Sequence, residues 1–199
     1  MQYAKVHSDT PMPNREDRLK RLLLRIADGD AASMQELFLQ ERAALHRLFL
    51  GLGRCPNRAD DLVQNTFLGL WRYRTNYKAK GSASGYVYRV AVHQWRKAMA
   101  KDLRRKDTVG PITEDLEEPA MVGDASSTIL SVEAVKTIWE AVRKLPDLQR
   151  EVFLLHRHHG LSCPEIAAAT DTNLRTVESR LRLALKKLAE RLQPMKESG

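Results

Sequence analysis

The sequence predicts an all-α protein of two small helical domains joined by a flexible acidic linker. Three observations carry that expectation. Apolar residues recur every three or four positions over most of the 199 residues, the spacing that lines one face of a helix. That periodicity fails between 106 and 128. Charge divides at the same place: residues 1–105 hold 20 Lys and Arg against 10 Asp and Glu, 106–132 hold 1 against 6, and 133–199 hold 12 against 9. Two basic blocks flank an acidic connector.

Taken in order, residues 1–16 read as a flexible tail, mostly polar around Pro11 and Pro13. Leu19, Leu22, Leu23 and Ile26 then form one helical face that stops at the Asp28-Gly29-Asp30 turn. Met34, Leu37, Phe38, Leu45, Leu48 and Phe49 form a longer one, ended by Gly51, Gly53 and Pro56. A third helix is expected from about Asn57 to Tyr73, with Leu62, Phe67, Leu70 and Trp71 on its apolar face. Asp60 and Asp61 fall in its early turns, where the positive end of the helix dipole favours carboxylates. A fourth runs from Tyr86 to about Lys101 with Val87, Val90 and Ala91 inward, completing a first domain over 17–105.

The linker, 106–128, is expected to be extended and solvated: Gly110, Pro111, Pro119 and Gly123 flank Glu114, Asp115, Glu117 and Glu118. A second domain, 129–195, opens with Ile129, Val132, Val135, Ile138, Trp139 and Val142 on one face, up to Leu145-Pro146. A helix over Asp147–Arg157 follows, and His158-His159-Gly160 breaks it. Two more helices, 162–169 and 174–192, complete the chain. Ser162 with Glu165 three residues on fits a capping box, and the spacing of Ile166, Ala167, Val177, Leu181 and Leu185 suits a helix-turn-helix packed on its predecessor.

A formal charge of +8 points to polyanions, nucleic acid or an anionic surface. No apolar run approaches the roughly 18–20 residues that span a bilayer, and the start of the chain lacks the apolar core of a signal peptide, so a cytoplasmic protein with no membrane insertion is expected. Cys55 and Cys163 lie in different domains without CxxC pairing, which favours reduced thiols.

The distribution of rings narrows the polyanion. Aromatic residues are 6% of the chain, yet Tyr77, Lys80, Tyr86, Tyr88, Arg89, His93, Gln94, Trp95, Arg96, Lys97, Lys101, Arg104 and Arg105 crowd the end of the first domain. An unpaired base exposes a flat π-face that a ring stacks on, worth roughly 1–3 kcal/mol per base, while Lys or Arg tracks the backbone. Single-stranded nucleic acid fits this mixture; a helical core with a solvated basic face is the competing reading, since a Trp or Tyr at helical spacing usually packs. In the helix-turn-helix the second helix enters the major groove. Its exposed leading positions are expected to be Asn173, Arg175, Thr176, Glu178, Ser179, Arg182 and Lys186, with Ser162 at the start of the first helix near the backbone. Arg175 or Arg182 suits a guanine edge and Glu178 a cytosine amine.

These residues resemble those of bacterial RNA polymerase sigma factors of the extracytoplasmic-function (ECF) class, from Leu19 to Leu192. Asp60-Asp61-Leu62-Val63-Gln64-Asn65-Thr66-Phe67 looks like the region-two motif that binds core polymerase. Tyr88-Arg89-Val90-Ala91-Val92 and the basic run after it are similar to the promoter-melting segment. Leu145-Pro146, Glu151-Val152-Phe153, Gly160-Leu161-Ser162, Glu165-Ile166-Ala167 and Thr176-Val177-Glu178-Ser179-Arg180-Leu181 resemble region four. The resemblance implies that Asp60, Asp61, Val63, Gln64, Phe67 and Trp71 dock on the clamp coiled coil of core RNA polymerase. Tyr77, Lys80, Tyr86, Arg89, His93, Gln94, Trp95, Arg96 and Lys97 would capture and melt the minus-ten element of promoter DNA, and the helix-turn-helix would read the minus-thirty-five element as duplex. It implies an inhibitory anti-sigma factor as a further partner. His93 stands where the family usually has Asn, Tyr86 where Trp is frequent, and Glu178 where a basic residue is frequent, so the minus-thirty-five preference does not transfer.

Other classes fit less well. His156, His158, His159 and Cys163 lie close together but match no familiar zinc spacing. No nucleophile motif or glycine-rich phosphate loop is present, so neither an enzyme nor a cofactor is expected. A stand-alone helix-turn-helix regulator is the strongest rival, and it leaves the first domain's acidic helix and aromatic cluster unexplained.

Overall fold

The computed structural model describes residues 14–53, 56–106 and 132–196. The expected tail up to Pro13, the linker over 107–128 and Cys55 lie outside the described residues. Among those described, the regular structure is helical: α1 (Arg15–Ala27), α2 (Ala31–Gly51), α3 (Pro56–Arg72), a 3-10 turn (Arg74–Asn76), α4 (Ala83–Lys106), α5 (Val132–Arg143), α6 (Asp147–Arg157), α7 (Cys163–Thr170) and α8 (Leu174–Lys196).

Local chemistry sets the helix starts. Asn14 caps α1 by accepting from the Asp17 N–H at 2.8 Å, and Asp30 caps α2 by accepting from Ala32 at 2.9 Å and Ser33 at 3.3 Å. Helix α1 therefore begins at Arg15, inside the stretch expected to be tail. The Ser162–Glu165 capping box of α7 forms as expected, with the Ser162 N–H donating to the Glu165 carboxylate at 2.7 Å. Asp171 takes the left-handed conformation at φ 51° to end α7, and Asn173 accepts from the Thr176 N–H at 2.8 Å to start α8.

One cap comes from a distant part of the chain. The Glu16 carboxylate of α1 accepts from the Ala83 and Ser84 N–H groups and from the Ser84 hydroxyl at the start of α4. Burial opposes the charge, but these hydrogen bonds outweigh it and hold the Glu16 carboxyl below its ordinary range. Beside it, Arg15 grips the buried Glu41 of α2 at 2.7 and 2.9 Å. Two adjacent residues of α1 thus tie it to α2 and α4.

The first domain packs Leu19, Leu22, Leu23 and Ile26 of α1 against Leu37, Leu45, Leu48 and Phe49 of α2, Leu62, Phe67 and Leu70 of α3, and α4. Phe38 and Phe67 meet edge to face at 4.9 Å. The second domain builds its core from Trp139, Val142, Val152, Leu155, Ile166, Val177, Leu181 and Leu188. These cores are continuous: the domains close on each other, with α7 lying against α4 and α5 and α6 reaching α2.

That seam explains a difference from the sequence reading of α4. The expected inward set was Val87, Val90 and Ala91, yet Tyr88, Val92 and Trp95 are also buried, each 1% exposed. Helix α4 is covered by α1 and α3 on one side and by α7 on another, so its buried arc is wider than an amphipathic helix of a single bundle requires.

The seam also depends on a small residue. A Cβ at Gly51 would lie 3.0 Å from Leu154 Cδ1 and 3.3 Å from the Trp139 ring, both in the second domain. We expect Gly51→Val to cost about 1–3 kcal/mol of closure by overpacking. Scattering should show a larger radius at unchanged helical circular dichroism; an unchanged radius would refute the role of this contact.

Candidate nucleic-acid interface

The expected site residues divide by exposure. On α3, Asp60, Asp61 and Gln64 face solvent, Trp71 is half-buried, and Val63 and Phe67 are core. The Asp60 carboxylate lies 3.6 Å from His46 of α2. Trp71 is covered by Arg74, whose guanidinium stands 4.6 Å from the ring centroid and donates to the Trp71 carbonyl at 3.0 Å. Val63 and Phe67 were expected on a docking surface; instead they hold α3 onto the bundle, because at helical spacing they fall on the same side as Leu62 and Leu70.

A similar division separates the proposed base-capturing set. Lys80, Arg89, His93 and Lys97 are exposed, and Tyr86, Gln94 and Arg96 are partly buried. Tyr77 and Trp95 are buried at 7% and 1% exposure, so in this arrangement neither ring presents a face to a base. Tyr77 packs against Tyr86 at 4.9 Å, and Trp95 is part of the continuous core. The packing alternative weighed for each ring holds for these two.

What the structure adds is a line. Arg89, His93, Lys97 and Lys101 recur every four residues and are all exposed, a stripe of three cations and one imidazole along α4. Successive members are about 6 Å apart along the axis at 1.5 Å rise per residue. Lys101, named in the basic run but not among the residues expected to capture the minus-ten element, belongs to this line; its four-residue spacing from Lys97 was the available signal. Gln94, Lys97 and Lys101 line a cleft of about 360 Å³ with Asp61 and Asn65 of α3.

Arg96 departs from its neighbours. It points away from the stripe, donating to the Thr170 carbonyl at 2.6 Å and to Glu151 at 3.1 Å, both in the second domain. Glu151 is fully buried, and burial pushes its carboxyl up despite the opposing Arg96 charge.

In the second domain, α7 and α8 form the helix-turn-helix. Asn173, Arg175, Glu178, Arg182 and Lys186 are exposed, Thr176 and Ser179 are partly so, and Ser162 is exposed at the start of α7. Val177, Leu181 and Ala184 turn inward on the other side of α8. The histidines weighed as metal ligands carry protein contacts: His156 Nδ1 lies 2.9 Å from the Leu161 carbonyl, His159 Nδ1 lies 2.8 Å from the Tyr88 hydroxyl, and His158 stacks on Trp139 at 5.3 Å. Among the described residues no three potential ligands gather, and Cys163 is a free thiol. No helix among them is long and apolar enough to cross a membrane.

Comparison with known proteins agrees with this layout. Residues 37–106 match the sigma-70 region 2 family and residues 136–188 match sigma-70 region 4. The RNA polymerase sigma factor NccH of Alcaligenes xylosoxydans is 27% identical over 187 residues, 91% of this chain and 96% of the relative. The ECF sigma factor SigK of Mycobacterium ulcerans is 29% identical over 184 residues, 90% of this chain and 96% of the relative. Two solved structures share the fold at 22% identity. One is RpoE of Bartonella quintana with the anti-sigma factor NepR, at a TM-score of 0.65 over 80% of this chain and 96% of the other. The second is CnrH with the cytosolic domain of CnrY, at 0.63 over 89% and 99%. With an acidic helix, a cationic stripe and a helix-turn-helix placed inside two matched regions in order, the chain belongs to the extracytoplasmic-function class of RNA polymerase sigma factors, which direct core polymerase to promoters.

Proposed function

We propose that the exposed face of α3 docks on core RNA polymerase through Asp60, Asp61 and Gln64. The stripe on α4 would hold the displaced minus-ten strand, and the leading residues of α8 would read the minus-thirty-five element as duplex. The observation that carries this reading is the segregation of exposed side chains: carboxylates on α3, cations at four-residue spacing on α4, and a mixed polar set opening α8. Tyr86, half-buried against Tyr77, is the ring best placed to meet a base, and Tyr77 acts as its support. Chemistry is left to the polymerase, and the protein would work where that enzyme is, in the cytoplasm. An anti-sigma factor is a further expected partner, as NepR is for RpoE of Bartonella quintana.

The α3 face gives a charge test. Asp61→Lys should leave thermal stability unchanged, because the side chain is exposed, and should weaken association with core polymerase at least tenfold in an anisotropy titration. Unchanged association removes α3 from the docking surface.

The stripe gives a salt test. Replacing Lys97 and Lys101 with Ala should lower affinity for forked promoter DNA and flatten its salt dependence by about 0.7 log unit per log unit of salt for each single-strand phosphate that is no longer neutralised. An unaltered slope places the strand elsewhere. In the second domain, Arg175→Ala should relax preference at one base pair of the minus-thirty-five element by about 1–3 kcal/mol, measured by competition among single-substitution duplexes. A uniform loss across all sequences would make Arg175 a phosphate contact instead.

A further inference from the structure

The seam between the domains holds titratable groups that nucleic-acid binding does not use. His159, in the turn between α6 and α7, places Nδ1 2.8 Å from the Tyr88 hydroxyl of α4, with the rings 4.8 Å apart. Tyr88 is 1% exposed, so its hydroxyl depends on protein partners. Arg15 of α1 bears on the same hydroxyl, and a guanidinium only donates. The Tyr88 proton is thereby left to His159, which must accept it on a bare Nδ1. A protonated imidazole carries hydrogen on both nitrogens and offers no acceptor.

The charges that bear most on the ring are positive. Every carboxylate near the ring is engaged: Glu41 of α2 by Arg15, Glu16 of α1 by the start of α4, and Glu165 of α7 by Ser162. Arg15, Arg47 of α2 and the neighbouring His158 all repel a further positive charge. Burial first, then these cations, hold the His159 pKa down at about 3.

We infer that His159 is an acid-sensitive latch: the two domains stay closed while its imidazole is neutral, and proton uptake there releases α7 from α4. A depressed histidine pKa contributes stability that is complete above the ordinary value of about 6.5 and is lost as pH falls toward about 3, by up to tenfold per pH unit in the closed-to-open ratio. Glu151, elsewhere in the seam, titrates with the opposite sign, because its carboxyl is pushed up by burial, so the net slope is shallower. Opening would also release Arg96 from Glu151 and Thr170; its use on promoter DNA rests on the proposed function, whereas the opening does not.

The test is small-angle scattering of the full chain from about pH 7.5 to about pH 5.5, the histidine window. Far-UV circular dichroism and amide exchange corrected for intrinsic rates accompany it. The expected result is a larger radius and at least tenfold faster exchange in α7, with helix content constant. His159→Asn, whose Oδ1 offers an acceptor close to the Nδ1 position, should remove the response, and His158→Asn should keep it. An identical response in wild type and His159→Asn, no opening, or loss of helix content over the same range overturns the inference. So does a His159 ring resonance in the wild type that titrates near the ordinary value of about 6.5. Neither DNA nor polymerase is present, so a negative result leaves the promoter-binding reading standing.

Discussion

Helix α4 is buried on two sides, and the arrangement of both domains depends on that. A helix at the edge of a bundle needs one apolar face, yet α4 presents Val87, Ala91 and Val92 together with the large rings of Tyr88 and Trp95, all at most 1% exposed. Fully burying a large apolar side chain is worth about 1.5–3 kcal/mol, so two such rings supply a driving force comparable to a sizeable share of a small domain's net stability. The Trp95 indole N–H finds no protein acceptor, a cost of about 1–3 kcal/mol that the ring's packing must exceed. Trp95 is therefore placed for bulk, in the core that the two domains share.

The helices were legible because their signals are local. Apolar spacing, the Asp28-Gly29-Asp30 turn and the Ser162–Glu165 box each lie within a few residues, and the structure keeps all three. Helix α1 starts two residues ahead of the expected boundary, because Asn14 acts as a cap that no apolar residue announces. Exposure of charged site residues was equally readable: Asp61, Arg89, Lys97, Arg175 and Arg182 face solvent as helical phase requires.

What escaped the sequence is non-local. The Glu16 cap on α4 spans 67 positions, the Tyr88–His159 contact 71 and the Arg96–Thr170 contact 74. No periodicity encodes such pairings. Rings added a second ambiguity, since stacking on a base and packing in a core call for the same residue at the same spacing. Trp95 resolves toward packing because α4 meets neighbours on both flanks, and Tyr77, ahead of α4, because it packs against Tyr86.

The cations of α4 show how one helix serves two surfaces. Residues four apart stay on one slowly turning line, so Arg89, His93, Lys97 and Lys101 form a solvated stripe. Arg96 follows His93 by three and precedes Lys97 by one, which rotates it about 100° off that line toward the second domain. There it meets Glu151, whose full burial leaves a carboxylate in need of a donor. Removing Arg96 would strand that carboxylate, whereas removing Lys97 strands nothing, so the same residue class at adjacent positions carries unequal structural weight. A polyanion approaching the stripe consequently gains its first contacts without disturbing the seam, and any contact with Arg96 must be strong enough to replace both Glu151 and the Thr170 carbonyl.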